Sequence, residues 1–157
     1  MEMSPKWEYV ADGVMGGVSK GGMRTEIFRG RTATVLHGDV SLENNGGFVQ
    51  IAFDLLPDGT GFDARDWDGI AIDVCGNEKI YDLRLRTDQL TKPWQSFRTA
   101  FTAKPEWQTL RIPFDAMVSH KTDAIFDPAQ LRRIGILAIG REFTAEVAVA
   151  GVRLYND

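Results

Sequence analysis

Three stretches of the chain alternate apolar and polar residues with a period of two, and this pattern restricts the fold more than any other feature. Val49, Ile51, Phe53 and Leu55 alternate with Gln50, Ala52 and Asp54; Ile70, Ile72 and Val74 with Ala71, Asp73 and Cys75; and Tyr81, Leu83 and Leu85 with Asp82, Arg84 and Arg86. Successive side chains of a strand point to opposite faces, so each stretch predicts a half-buried β-strand. Further strands are expected around Met23–Phe28, Thr32–Gly38, Trp94–Phe101, Trp107–Ile112, Ile134–Ile139 and Ala145–Leu154. Gly30, the Asn44–Gly47 cluster and Gly76-Asn77 are the turns between them. The one helix signal is short: Asp127 can cap, and Pro128 suits the first helical position before Leu131. Many short strands separated by turns imply an all-β fold, two packed antiparallel sheets in a jelly-roll β-sandwich, as a single domain over residues 1–157.

Composition narrows the function classes. The net charge is -4, with Lys and Arg nowhere gathered into a long run, which argues against a nucleic-acid partner bound through its phosphates. No apolar stretch is long enough to span a bilayer, and the opening MEMSPKWEYVADG has no signal-peptide core, so a cytoplasmic setting is expected. Cys75 is the only cysteine, which rules out an internal disulfide and a thiolate-rich metal site.

The candidate chemical groups read mostly as structural. There are two histidines. His37 is expected on a strand face and His120 in the loop Ser119-His120-Lys121-Thr122; neither lies in a nucleophile motif or a zinc-binding pair. Cys75 reads as a small core residue. The aspartate-rich stretch from Asp58 to Asp68 has oxygen ligands suited to calcium, but lacks the spacing of an EF-hand, and reads as a turn-capping loop with Trp67 packed into the core. No cofactor is expected. Two glycine runs stand out, Asp12 to Ser19 and Asn44 to Phe48. Neither fits a phosphate-binding loop, and each reads as a tight turn in which adjacent glycines permit positive φ. Asp82, Arg84 and Arg86 share one strand face, beside Asp73 and Gln50 or Asp54. That face is either a solvated surface with cross-strand ion pairs or the polar floor of a binding face.

In these same runs the chain resembles the CIA30 family, named for the complex I intermediate-associated protein of mitochondria. The family's first motif is approximately D-x-V-M-G-G-x-S, and here Asp12, Val14, Met15, Gly16, Gly17 and Ser19 match it. Its second, N-G-G-F, is matched by Asn45, Gly46, Gly47 and Phe48. The segment Tyr81 to Arg86, with Arg84 and Arg86, and the segment Trp107 to Phe114 follow the pattern too. Where relatives often carry an arginine just beyond the second motif, this chain has Ala52. The resemblance implies a jelly roll similar to galactose-binding and carbohydrate-binding modules, and a chaperone-like role in respiratory complex I assembly.

The expected function is therefore a non-catalytic binding or assembly module. Its expected partner is another protein, such as a respiratory-chain subunit or assembly factor; the alternative is a carbohydrate, with Trp7, Trp67, Trp94 and Trp107 as candidate stacking surfaces. The two glycine runs are further expected to form one unit in space, with Asp12 or Asn45 accepting N–H groups from the opposite run.

Overall fold

The computed structural model of the protein describes residues 1–45 and 47–157, without the side chains of Val14, Met15 and Asn45. Eleven strands account for nearly all of its regular structure. They are β1 (Glu8–Ala11), β2 (Lys20–Phe28), β3 (Arg31–Val40), β4 (Phe48–Asp54), β5 (Gly69–Gly76), β6 (Ile80–Thr87), β7 (Ser96–Thr102), β8 (Gln108–Pro113), β9 (Val118–His120), β10 (Leu131–Ile139) and β11 (Phe143–Tyr155). A six-stranded sheet has the order β1-β4-β10-β6-β7-β9, and a five-stranded sheet the order β2-β3-β11-β5-β8. Every pairing is antiparallel. This is the expected all-β jelly-roll sandwich of two antiparallel sheets.

The alternation places the core. Ile51, Leu83, Leu85, Phe97 and Ile136 of the six-stranded sheet pack against Leu36, Ile70, Ile72, Val74 and Val147 of the five-stranded one. Tyr81 also ties the layers together: its hydroxyl donates to Asn77 Oδ1 at 2.6 Å and accepts the Glu146 N–H of β11 at 3.0 Å. Burial is the main cause that pushes its pKa up to about 12, so it stays a neutral hydroxyl.

Several local expectations need correction. β5 is not half-buried: all eight of its residues are buried. Beside it in the same sheet, β3 and β11 carry a second small apolar cluster, Ala33, Val35 and Ala148, on which Phe28 and Trp107 pack. Asp73 on this strand is enclosed as an ion pair, with Arg153 Nη1 at 3.0 Å and the Thr109 hydroxyl at 2.5 Å. It therefore belongs to the opposite sheet from Arg84 and does not share its face. His120 lies in β9, not in a loop. Trp94 and Trp107 fall just outside the strands assigned to them, before β7 and β8. The helix signal at Asp127 becomes a single 3-10 turn, Pro128–Gln130, capped by the Asp127 carboxylate on the Ala129 N–H at 2.9 Å. In the loop before β5, Asp58 binds the N–H and hydroxyl of Thr60, Asp63 binds Arg65, and Trp67 packs beside Phe62 against the core.

Candidate functional site

The first glycine run is the crossover from β1 in one sheet to β2 in the other. It opens with a 3-10 turn, Asp12–Met15, closed by Gly16 at φ +86°. That left-handed conformation suits glycine. The Gly17 N–H returns to the Asp12 carbonyl at 2.9 Å. Gly17 also sits so close to Asp12 that a Cβ there would lie 2.5 Å from the carboxyl carbon. The second run is the crossover back, from β3 to β4, and Gly47 and Phe48 lie at its end.

The two crossovers meet on Asp12, which is fully buried. Its Oδ1 accepts the Ser19 N–H at 3.0 Å, and its Oδ2 accepts the N–H groups of Gly47 at 2.6 Å and Phe48 at 3.2 Å. The Ser19 hydroxyl donates to Oδ2 as well, and accepts the Ser41 N–H at 2.8 Å. Burial alone would raise the Asp12 pKa; the bonds from Ser19, Gly47 and Phe48 outweigh it and hold the carboxyl below the usual carboxylate range. Asp12, Gly17, Ser19, Gly47 and Phe48 thus form one unit, as expected. The side chains of Val14, Met15 and Asn45, and all of Gly46, lie outside the described residues.

Arg84 and Arg86 are elsewhere. They project from the outer face of the six-stranded sheet, and the strand register gives that face its plan. Across all six strands runs the row Glu8–Ala52–Gly135–Arg84–Arg98–Val118. Gln50, Leu137, Asp82 and Ala100 make the next row. Ala52 is four positions along β4 from Phe48, about 13 Å at the usual strand rise. The Asp12 unit therefore closes one end of the face and does not touch its centre.

The centre is floored by small residues. Ala52 and Gly135 are buried there. Gln50 Oε1 and a Leu137 methyl each lie 3.3 Å from where a Cβ on Gly135 would stand. Arg84 pairs with Asp82 on its own strand at 2.9 Å, and Arg133 with Asp54 at 3.0 Å. Arg86 is different. Its Nη1 donates to the carbonyls of Lys92, Pro93 and Gln95 at 3.1, 2.8 and 2.9 Å, which pins the β6–β7 connection around Trp94. Burial first, then the charges of Arg132 and Arg133, lower its pKa. Neither Arg86 nor the exposed Arg98 has a carboxylate partner among the described residues.

Beyond Arg98, Ser96 and His120 are cross-strand neighbours. The Ser96 hydroxyl is buried and has no hydrogen-bond partner among the described residues. Burial, and after it the charges of Arg98, Arg84 and Lys121, lower the His120 pKa, opposed by Asp82. The expectation of Gln50 or Asp54 near Arg84 is met by both, each in a row adjoining that of Arg84. Arg98, Gly135, Ser96 and His120 also belong to this face, and the alternation of Arg98 with Phe97 in an expected strand is the sequence signal for the first of them.

Of the four tryptophans, Trp94 is the one that stands clear of the fold, 57% exposed. Trp7 meets Phe53 edge-on at 4.8 Å, and Trp107 donates to the carbonyl of Phe28 at 3.1 Å.

Solved structures with this fold include carbohydrate-binding modules. The chain superposes with a TM-score of 0.78 on a family 11 carbohydrate-binding module from Clostridium thermocellum, in complex with a beta-1,3-1,4-mixed-linked tetrasaccharide, at 13% identity, covering 99% of this chain and 94% of that one. A family 30 carbohydrate-binding module of a cellulosomal cellulase of Clostridium thermocellum gives 0.67 at 14% identity, covering 100% and 95%. An exo-beta-agarase gives 0.63 at 8% identity, with 99% of this chain on 24% of that one. At these identities the likeness is one of fold. No curated protein matches in sequence. No helix among the described residues is long and apolar enough to cross a membrane. Both motifs fall within residues 1–147, which match the model of Complex I intermediate-associated protein 30, and the chain belongs to that CIA30 family.

Proposed function

We propose that the chain is a non-catalytic binding module of one domain, and that it engages a protein partner through the outer face of the six-stranded sheet around Arg84. The observation that supports this most is the unspent hydrogen-bonding capacity on that face. Among the described residues Arg98 projects without a carboxylate, and the Ser96 hydroxyl is buried without a partner, beside a smooth floor of Ala52 and Gly135. Buried polar groups normally find partners, so an unpaired hydroxyl next to exposed guanidinium suggests a surface completed by something else. The family description favours an assembly intermediate of the respiratory chain as that partner. No hydrogen bond joins Ser96 to His120 among the described residues, so the pair lends no support to a nucleophile and its base.

A carbohydrate is the second reading, and Trp94 is what favours it. Arg86 fixes the loop that presents this exposed indole at the margin of the face, as a stacking surface for a sugar ring. Among the described residues the rest of the face has no such platform: its central rows are Gln50, Ala52, Gly135, Leu137, Asp82 and the arginines.

Affinity capture from the native cell, with the wild-type chain and Arg98→Glu side by side, tests the reading. A partner retained by the wild type and lost on charge reversal supports it. A partner indifferent to Arg98 would move the interface off this face. Calorimetric binding of a mixed-linked glucan tetrasaccharide, abolished by Trp94→Ala, would establish the second reading instead.

A further inference from the structure

The four strands at the sheet edges are not protected alike. An edge strand presents a row of unpaired N–H and C=O groups, and folds usually blunt such edges by shortness, proline, bulges or inward-pointing charge. β1 has four residues and β9 three, while β8 has six and ends on Pro113. β2 is nine residues long, contains no proline, and pairs with β3 in unbroken register from Lys20–Asp39 to Phe28–Arg31. Met23 lies opposite the core residue Leu36, so Gly21, Met23, Thr25 and Ile27 are its inward-facing positions, and none is charged. The other sheet does not fully cover them: Met23 is 40% exposed and Ile27 75%.

The sequence of this edge is complementary to itself. Two antiparallel copies of β2 that keep their faces matched can be related by a two-fold axis through Thr25. Arg24 of each copy then lies opposite Glu26 of the other, and Met23 opposite Ile27. Charges meet opposite charges on the outer side, and the exposed apolar residues meet each other on the inner side. Shifting by two residues, the next register that preserves the faces, sets Arg24 against Arg24 or Glu26 against Glu26. Within the single chain Arg24 pairs, among the described residues, with its neighbour Glu26 at 2.9 Å and with Glu146 at 3.5 Å, both at the surface.

From these features we propose that β2 is a self-association edge, at which a second copy of this chain pairs antiparallel about Thr25 and joins the two five-stranded sheets into one continuous sheet. The interface is isologous, so it closes on a dimer and does not propagate. It is independent of the binding face around Arg84, which lies on the other sheet.

Sedimentation and light scattering of the full chain from micromolar to millimolar concentration read the association directly. The expected result is a monomer–dimer equilibrium. Either Arg24→Glu or Glu26→Arg alone should weaken it by on the order of tenfold, and the two together should restore it. Thr25→Cys should form an intermolecular disulfide under mild oxidation, because the only natural thiol, Cys75, is buried. Ile27→Cys should crosslink much more slowly, since its own position is not on the axis. Circular dichroism of each variant shows that the fold is kept. A chain that is monomeric throughout overturns the proposal. So does a dimer that ignores both charge reversals and the Thr25 crosslink.

Discussion

Four donors converge on the Asp12 carboxylate, and none of them is a cation. Its charge is held by backbone N–H groups and one hydroxyl, so its stabilising effect depends on its own ionisation. The folded pKa lies below the unfolded value of about 3.9, so the stabilisation is complete above that value and is lost as pH falls through the folded pKa. Asp12→Asn should cost about 1.5–3 kcal/mol at neutral pH and flatten the acid limb of the stability curve, both measured by urea unfolding. Gly16→Val should cost about 1–3 kcal/mol in the same experiment, because φ there is +86°. His120 should titrate below the ordinary histidine value in proton NMR, and Arg98→Ala should raise it, since a nearby cation disfavours the imidazolium. The sequence made the Asp12 pairing legible because aspartate, serine and glycines alternate where backbone must bend. It did not reveal the Ser96 hydroxyl, because a serine next to Phe97 looks like any strand-face serine until the fold closes over it.

At the scale of strands, alternation located β4, β6, β10 and β11 to within a few residues. β1 and β9 escaped notice because four and three residues are too few to show a period. The sequence of β5 predicts a half-buried strand because Ala71, Asp73 and Cys75 look like an outward row. That row is small or polar, yet Trp107 covers the neighbouring strands, with Arg31 stacked on its ring at 4.8 Å, and Arg153 neutralises Asp73. Such an arrangement depends on residues distant in sequence, which a local pattern cannot register. The β6–β7 connection shows the reverse case, a loop ordered by one side chain. Arg86→Ala leaves three carbonyls without their shared donor and should free the segment around Trp94. Limited proteolysis should then cut between Asp88 and Gln95 faster than in the wild type, with the core melting only slightly earlier.

Among the described residues of the whole molecule, strands account for 56% and the helical residues are confined to 3-10 turns. Its far-ultraviolet circular dichroism should therefore show one strand minimum, without the paired minima of α-helix. Most of its pairings join strands that are not adjacent in sequence, and such topologies fold in milliseconds to seconds. The two chain crossings that meet on Asp12 also have a mechanical meaning. Each carries the chain from one layer to the other, and the carboxylate rivets the pair together at a single point. Layers that are held together only by oily side chains can slide over one another under load, because dispersion contacts are non-directional. Short bonds to one fixed carboxylate do not stretch with sliding; they break. The end of the sandwich at Asp12 should accordingly resist shear until it yields abruptly, and a rise in acidity should act on it as a release.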